Sequence, residues 1–261
     1  MKEKQVLQTI NNDLIKFFMA ALSKVKYYIN AAKYLMRTRL QFFAFIMFPR
    51  TKEEIINKFH NLYYDSNVFG GTWRNTKFLG VPALKCPFDL FVYQEILFEL
   101  KPDVIIEAGT AFGGGAYYLA SLCDLMGHGE VITIDTTDVV VGPRHKRVTY
   151  LLGSSTSNAI VEQVKERIRG KEKILVILDS DHSKKHVQEE LRIYSELVTK
   201  DSYLIVEDSN VNGHPVSPEH GPGPMEALKE FLKTNHNFEI DKSREKHYVT
   251  FNPDGYLKRV R

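Results

Sequence analysis

The stretch VIIEAGTAFGGG, residues 104–115, decides the fold of this chain. It joins the apolar run Val104–Ile106 to a glycine-rich loop, and a helix-forming segment from Gly113 to Met126 follows. Short apolar runs bounded by charged and turn residues are typical of strands that are buried on both faces of a sheet. Glycines allow the loop backbone to turn sharply and to approach a ligand, and the start of the helix offers free N–H groups. The stretch therefore predicts a strand, a ligand-binding loop and a helix, in that order.

Strands and helices alternate along the rest of the chain. A helix is predicted at 87–100, strands at 131–134, 148–152, 174–178 and 203–206, and further helices at 158–168, 184–197 and 225–233. The chain closes with two predicted strands, 238–240 and 247–251, that have no helix between them. This alternation predicts an α/β fold with a mostly parallel sheet covered by helices, and the final pair predicts one antiparallel strand.

Two of the buried runs end in carboxylates. Asp179 follows the strand at 174–178, and Glu207 and Asp208 follow the strand at 203–206. Ligands of open α/β sheets bind at the carboxyl ends of the strands, so these three acids are expected to meet at one edge of the sheet. Like charges repel there unless a cation lies between them, and carboxylate oxygens suit Mg²⁺, Ca²⁺ or Mn²⁺. The sequence therefore predicts a divalent-metal site, and zinc is disfavoured because no His/Cys pair has the spacing of zinc ligands.

The glycine loop indicates the kind of cofactor. Its spacing is not the G-x-G-x-x-G of dinucleotide-binding proteins, and its E-x-G-x-x-x-G pattern resembles the loop that binds S-adenosylmethionine (SAM) in class I methyltransferases. Asp135 ends the next strand, where a carboxylate can accept hydrogen bonds from ribose hydroxyls, and Ser155 follows the third strand, where adenine would lie. An ordinary tight turn with Asp135 as a cap is the alternative. Cofactor contacts are predicted for Glu107, Gly109, Thr110, Gly113, Asp135 and Ser155.

Polar residues cluster after Asp179 and after Asp208. His182 is either a general base, since its pKa is ordinarily near neutrality, or a surface histidine. Asp181 is either an additional acid of the site or the cap of the next helix. The segment 212–224 is rich in proline and glycine and contains two histidines, and it predicts a wall or lid of the pocket.

The N-terminal region differs from the rest in charge. Residues 1–50 carry nine Lys/Arg against Glu3 and Asp13, a balance of +7, whereas the remaining residues carry −4. We expect two parts, a basic and apolar helical extension at 1–50 and a catalytic domain at 51–261 whose charge argues against nucleic-acid binding. The extension shows no signal peptide and no uncharged run of the ~18–20 residues that span a membrane. It either packs on the core or on a second subunit, or lies on an anionic membrane.

The two cysteines, Cys86 and Cys123, have no C-x-x-C spacing. This predicts a reduced, cytoplasmic protein, with a peripheral membrane location left open.

Four stretches together resemble the cephalosporin hydroxylase family, whose members are SAM-dependent methyltransferases despite the name. They are residues 71–82, residues 85–95, the glycine loop and residues 206–224. The resemblance implies a seven-stranded, Rossmann-like class I methyltransferase sheet. It also implies Mg²⁺, or another divalent cation, held by Asp179, Glu207 and Asp208. More distantly the chain looks like catechol and caffeoyl-CoA O-methyltransferases, in which a lysine is the base; His182 occupies that position here.

The predicted function is transfer of the SAM methyl group to a hydroxyl of a small metabolite or sugar, by a homo-oligomer. His182 would take the proton. Two alternatives remain, a SAM-binding module without turnover and an oxidoreductase of the kind that the family name suggests. The second requires an iron-binding facial triad or a G-x-G-x-x-G loop, and neither is evident.

Overall fold

The computed structural model describes residues 22, 25–37, 39, 40, 43, 47–65 and 72–261. Much of the predicted N-terminal extension, and Gly71 of the family-like stretch 71–82, lie outside the described residues. The chain divides after Ile55 into two units, and the second unit carries the sheet and the site. The boundary that the sequence predicts after residue 50 stays a prediction. Among the described residues, no helix combines the length and the apolar character that crossing a membrane requires.

From residue 87 to residue 240, the helices and strands follow the predicted alternation. The helices are α1 (Pro49–Asp65), α2 (Pro87–Leu100), α3 (Gly114–Met126), α4 (Asn158–Arg167), α5 (Lys184–Tyr194) and α6 (Pro224–Thr234). The strands are β1 (Lys77–Phe78), β2 (Val81–Pro82), β3 (Val104–Ala108), β4 (Glu130–Asp135), β5 (Val148–Leu152), β6 (Ile174–Leu178), β7 (Tyr203–Val206), β8 (Phe238–Ile240) and β9 (Tyr256–Arg259).

Seven of these strands form one sheet in the order β5-β4-β3-β6-β7-β9-β8. Strand β9 is antiparallel to both of its neighbours, and the pairs from β5 to β7 are parallel. The predicted α/β fold, a seven-stranded and mostly parallel sheet with one antiparallel strand, is therefore confirmed. Strands β1 and β2 form a separate two-stranded ribbon.

Helices cover both faces of the sheet. Every residue of β3, β6 and β7 is buried, as their apolar runs predict. Successive side chains of a strand point to opposite faces. Accordingly, Val176 and Leu204 pack in one apolar cluster with residues of α4, α5 and α6, whereas Ile177 and Ile205 pack in another with residues of α2 and α3. Strands β6 and β7 are thus held between the two layers of helices. Because they are parallel neighbours, the acids that follow them lie at the same edge of the sheet.

The prediction of a strand at 247–251 is wrong. Tyr248 has a left-handed backbone with φ of 69°, which a strand does not accommodate. The buried Asp89 carboxylate of α2 holds the segment, since it accepts hydrogen bonds from the Thr250 hydroxyl at 2.5 Å and the Phe251 amide at 2.8 Å. The last strand is instead β9, after the turn at Gly255. Helix α5 is also shorter than predicted, because it ends at Tyr194 and not at Leu197.

Candidate functional site

A cavity of about 430 Å³ opens at the carboxyl ends of β3, β4, β5 and β6. Of the residues that the sequence predicts for the site, Gly109, Asp135, Ser155 and Asp179 line this cavity. Its volume lies within the range of small-molecule sites. The position is the edge of the sheet at which open α/β proteins bind ligands.

The glycine loop lies directly against the end of β6. Gly109 has a φ of 102°, and a Cβ atom at this residue would lie 1.8 Å from the carbonyl oxygen of Asp179. Only glycine fits such a contact. Gly113 has a φ of 87° and immediately precedes α3. The close approach at Gly109 therefore joins the predicted cofactor loop to the first of the predicted metal ligands.

Asp135 orders the glycine loop. Its Oδ2 atom accepts hydrogen bonds from the amides of Thr110 at 3.1 Å and Ala111 at 2.8 Å, and its Oδ1 atom accepts one from the amide of Thr137 at 2.9 Å. Burial raises the pKa of Asp135, but these hydrogen bonds outweigh it and hold the pKa below its ordinary value. The carboxylate is therefore ionised at the cavity wall, where the sequence expects a ribose acceptor.

Glu107 and Thr110 lie beneath the loop and not among the cavity-lining residues. The Thr110 and Thr133 hydroxyls are 2.7 Å apart, and the Thr133 hydroxyl donates to Glu107 Oε2 at 2.7 Å. Burial raises the pKa of Glu107 to about 7. Both residues thus support the loop from inside the domain.

Asp179, His182 and Asp208 come together beside the cavity. One potential ligand atom of each lies within 4.8 Å of the others. The imidazole of His182 lies between the two carboxylates, with Nδ1 3.1 Å from Asp208 Oδ2 and Nε2 3.3 Å from Asp179 Oδ1. Burial lowers the pKa of His182, but the charges of Asp208 and Asp179 raise it to about 9.

Glu207 points to a different partner, Lys85. The Lys85 ammonium is buried and donates to Glu207 Oε1 at 2.5 Å and to Asp179 Oδ2 at 2.7 Å. Although burial lowers the pKa of Lys85, the charges of Asp179 and Glu207 hold it well above its ordinary value. Of the three predicted metal ligands, the structure therefore places Asp179 and Asp208 around one point and Glu207 on the lysine next to it. Sequence reasoning gave Lys85 no role in the site.

The crowding of these acids fits a divalent cation. Burial, followed by the charge of Asp179, raises the pKa of Glu207 to about 8, and burial also raises the pKa of Asp208. Such shifts mark buried negative charge that Lys85 and His182 only partly compensate. Carboxylate oxygens, completed by water, are a donor set that suits Mg²⁺ or Mn²⁺.

The proline- and glycine-rich segment lies next to this cluster. The amide of Lys184 donates to the carbonyl oxygen of Pro222 at 3.0 Å, which ties the segment to the start of α5. Glu226 of α6 holds it from the other side, because its carboxylate lies 2.8 Å from His214 Nε2 and accepts a hydrogen bond from the Gly223 amide at 2.7 Å. The segment is therefore fixed beside His182, where a pocket wall is predicted.

Asp181 has a local structural role. Its Oδ1 atom accepts a hydrogen bond from the Ser183 amide at 2.7 Å, while Ser183 is the residue that caps α5. Asp181 borders the cavity but does not join the cluster of Asp179, His182 and Asp208. The prediction of Asp181 as the cap of α5 is therefore wrong, because Ser183 is the cap, and Asp181 is an acid at the cavity outside the cluster.

Known proteins resemble this chain in sequence. Residues 70–260 match the family model described as Rhamnosyl O-methyltransferase/CmcI. The chain is 39% identical over 225 residues to a rhamnosyl O-methyltransferase of Mycobacterium bovis (strain BCG / Pasteur 1173P2), covering 83% of this chain and 90% of that protein. It is 38% identical over 220 residues to the enzyme of the same name from Mycobacterium leprae (strain TN), covering 82% and 94%.

Solved structures share the fold. An apo structure of CmcI superposes with a TM-score of 0.57 at 22% identity, over 72% of this chain and 77% of that chain. A CmcI structure described as containing Mg and SAM gives a TM-score of 0.57 at 22% identity, over 72% and 78%. At this identity the likeness concerns the fold.

Proposed function

This chain belongs to the rhamnosyl O-methyltransferase/CmcI family, and we propose that it transfers a methyl group from SAM to a hydroxyl of a sugar. It is a SAM-dependent O-methyltransferase whose acceptor is a sugar or another small molecule with a hydroxyl group. One observation carries the proposal. Gly109, in the cofactor loop, abuts Asp179, in the acid cluster, so the methyl donor and the activated acceptor oxygen would meet at one edge of the sheet.

The cavity would hold the cofactor. SAM supplies the activated methyl group when it is bound. Gly109 and Gly113 would leave room for its methionine part, Asp135 would accept hydrogen bonds from the ribose, and Ser155 would lie at the adenine. Glu107 and Thr110, which lie beneath the loop, would keep its backbone in place through Thr133.

The acids would hold a divalent cation. We propose Asp179, Glu207 and Asp208 as the ligands of Mg²⁺ or a similar ion, which would lower the pKa of the acceptor hydroxyl and fix its position. Lys85 would stay beside them and balance part of their charge.

His182 is the proposed proton acceptor. It lies within 3.3 Å of Asp179 and Asp208, next to the place where the acceptor oxygen is expected. A base must be neutral, and neutralisation of the two carboxylates by a divalent cation lowers the pKa that they raise. The segment 212–224 would form the wall against which the sugar rests.

A rhamnosyl group is the first acceptor to test, because the curated relatives are named rhamnosyl O-methyltransferases. The purified chain should transfer label from methyl-labelled SAM to a rhamnoside, lose this activity in EDTA and regain it when Mg²⁺ is added. SAM binding without turnover on any of a panel of sugars and phenols would support the non-catalytic alternative instead.

A further proposal concerns partners. Lys26, Lys33 and Arg37 share one face of the helical segment 25–37, and Tyr28 and Leu35 lie on the opposite face. No Asp or Glu occurs from residue 14 to residue 52. We propose that this basic segment, which belongs to the predicted extension at 1–50, contacts an anionic membrane surface. Homo-oligomer formation and cytoplasmic location likewise remain proposals.

A further inference from the structure

One buried carboxylate behind the cavity takes part in none of the roles proposed above. Glu190 of α5 is fully buried, on the helix face that also buries Val187 and Leu191. An apolar residue at this position would bury its surface without the cost of desolvating a charge. Stability alone therefore does not explain a glutamate here.

The Glu190 carboxylate contacts the side chains of three residues that line the cavity. Its Oε1 atom accepts hydrogen bonds from the Ser155 and Ser180 hydroxyls, both at 2.6 Å. His186 Nε2 lies 3.4 Å from the same oxygen and 3.1 Å from the Ser155 hydroxyl. These partners come from the ends of β5 and β6 and from α5, and all three line the cavity. The other carboxylate oxygen, Oε2, has no hydrogen-bond partner among the described residues.

These contacts set the direction of two hydroxyl groups. A serine hydroxyl has one hydrogen to donate and two lone pairs that can accept. Because Ser155 and Ser180 both give their hydrogen to Glu190, only lone pairs remain for a molecule in the cavity. The cavity wall at Ser155 is therefore fixed as a hydrogen-bond acceptor.

We propose that Glu190 is a positioning residue that makes this wall select a 6-amino purine over a 6-oxo purine. The amino group of adenine donates hydrogen bonds to the serine oxygens, whereas the oxo group of hypoxanthine would face their lone pairs. A site built to pair with one group leaves its polar atoms unpaired with the other, which gives strong discrimination. The inference rests on the proposed function, which places the adenine of SAM beside Ser155.

The test compares S-adenosylhomocysteine with its deaminated form, S-inosylhomocysteine, by isothermal titration of the full chain. The wild type should bind the adenosyl compound at least about tenfold more tightly. In Glu190→Gln the amide can donate to the serine oxygens, so the hydroxyl hydrogens are free to turn into the cavity. The preference should then fall about tenfold, chiefly through tighter binding of the inosyl compound.

Two further variants separate selection from folding. Glu190→Leu removes the carboxylate at similar volume and should also lose the preference, and its melting temperature shows whether the variant is folded. Glu189→Gln changes the neighbouring surface acid that pairs with Arg192, and it should keep the wild-type preference.

An unchanged preference in both Glu190 variants, or an equal weakening of both ligands, would overturn the selective role. A wild type that binds neither compound would instead overturn the assignment of SAM to this cavity.

Discussion

Gly109 is the residue at which the loop and the acid cluster depend on each other. We expect Gly109→Ala to destabilise the fold by about 3 kcal/mol or more, because its methyl group cannot fit against the backbone of Asp179. S-adenosylhomocysteine binding should be lost as well. Urea unfolding and calorimetric titration measure the two effects.

Gly127 provides the control for this substitution. It also has a left-handed backbone, with φ of 67°, but a Cβ there meets no atom within 4 Å. Gly127→Ala should therefore cost only the strain of that backbone, about 1 kcal/mol. If the two variants lose the same free energy of unfolding, the close approach between Gly109 and Asp179 does not contribute to stability.

Lys85 should be essential to the stability of the acid cluster. We expect Lys85→Met to lower the free energy of unfolding by about 3–5 kcal/mol, because the buried carboxyl groups of Asp179 and Glu207 would lose the ammonium group that partners them. Added Mg²⁺ should restore part of the loss, since it supplies positive charge to the same carboxylates. Lys184→Met, which breaks the surface pair with Glu230, should cost less than about 1 kcal/mol. A Lys85 variant as stable as this control contradicts the expectation.

The sequence pointed to some of these residues and not to others. Asp179, Glu207 and Asp208 could be recognised because each follows a buried apolar run, and the strand order then places them at one edge. Lys85 could not, because its two partners lie 94 and 122 positions further along the chain. Glu190 was hidden for a similar reason: a helix pattern does not reveal which polar residue turns inward.

At the level of elements, Glu226 of α6 holds the preceding segment 212–224. Burial raises the pKa of Glu226, but hydrogen bonds from Gly223, His214 and Asn212 outweigh it and lower the pKa from 4.5 to about 2. A lowered pKa means that the folded state gains stability from the ionised form above pH 4.5, and that this gain is lost as the pH falls towards 2.

We therefore expect Glu226→Gln to be less stable than the wild type by about 1 kcal/mol at pH 7. The difference should shrink steadily between about pH 4.5 and pH 2, because the wild-type side chain becomes neutral too. Thermal unfolding of both proteins across this range is the measurement. If the difference in stability between the two proteins stays constant down to pH 2, the substitution acts through the shape of the side chain and not through its charge.

Predicted elements succeeded where burial alone determined them and failed where a tertiary contact intervened. The runs at 148–152, 174–178, 203–206 and 238–240 became strands with the predicted ends. The run at 247–251 has equal strand character, yet Asp89 binds its backbone and side chains from α2. No local sequence pattern reveals these hydrogen bonds to Asp89, so the sequence predicts the last strand too early in the chain.

For the whole molecule, the alternation of helices and strands predicted the mostly parallel sheet, and the charge balance predicts a separate extension at 1–50. They did not decide what the basic segment contacts. We expect the full chain to sediment with vesicles containing phosphatidylglycerol and not with phosphatidylcholine alone. Reversal of Lys26, Lys33 and Arg37 to glutamate should weaken this binding at least about tenfold, whereas reversal of the exposed Lys165, Lys200 and Lys229 should not. If the first reversal instead dissociates an oligomer, a second copy of the chain is the partner.

The most direct test of metal-assisted methyl transfer at the acid cluster is a comparison of Asp208→Asn with Asp201→Asn. Asp208 and Asp201 both have left-handed backbones, which asparagine tolerates, and they lie at opposite ends of β7. Initial rates of transfer from methyl-labelled SAM to a rhamnoside are measured with saturating Mg²⁺, beside the affinity for S-adenosylhomocysteine. Asp208→Asn should lose at least about a hundredfold in rate with little change in that affinity, and Asp201→Asn should match the wild type. If Asp208→Asn transfers methyl groups at the wild-type rate, the acids that follow β6 and β7 have no catalytic role.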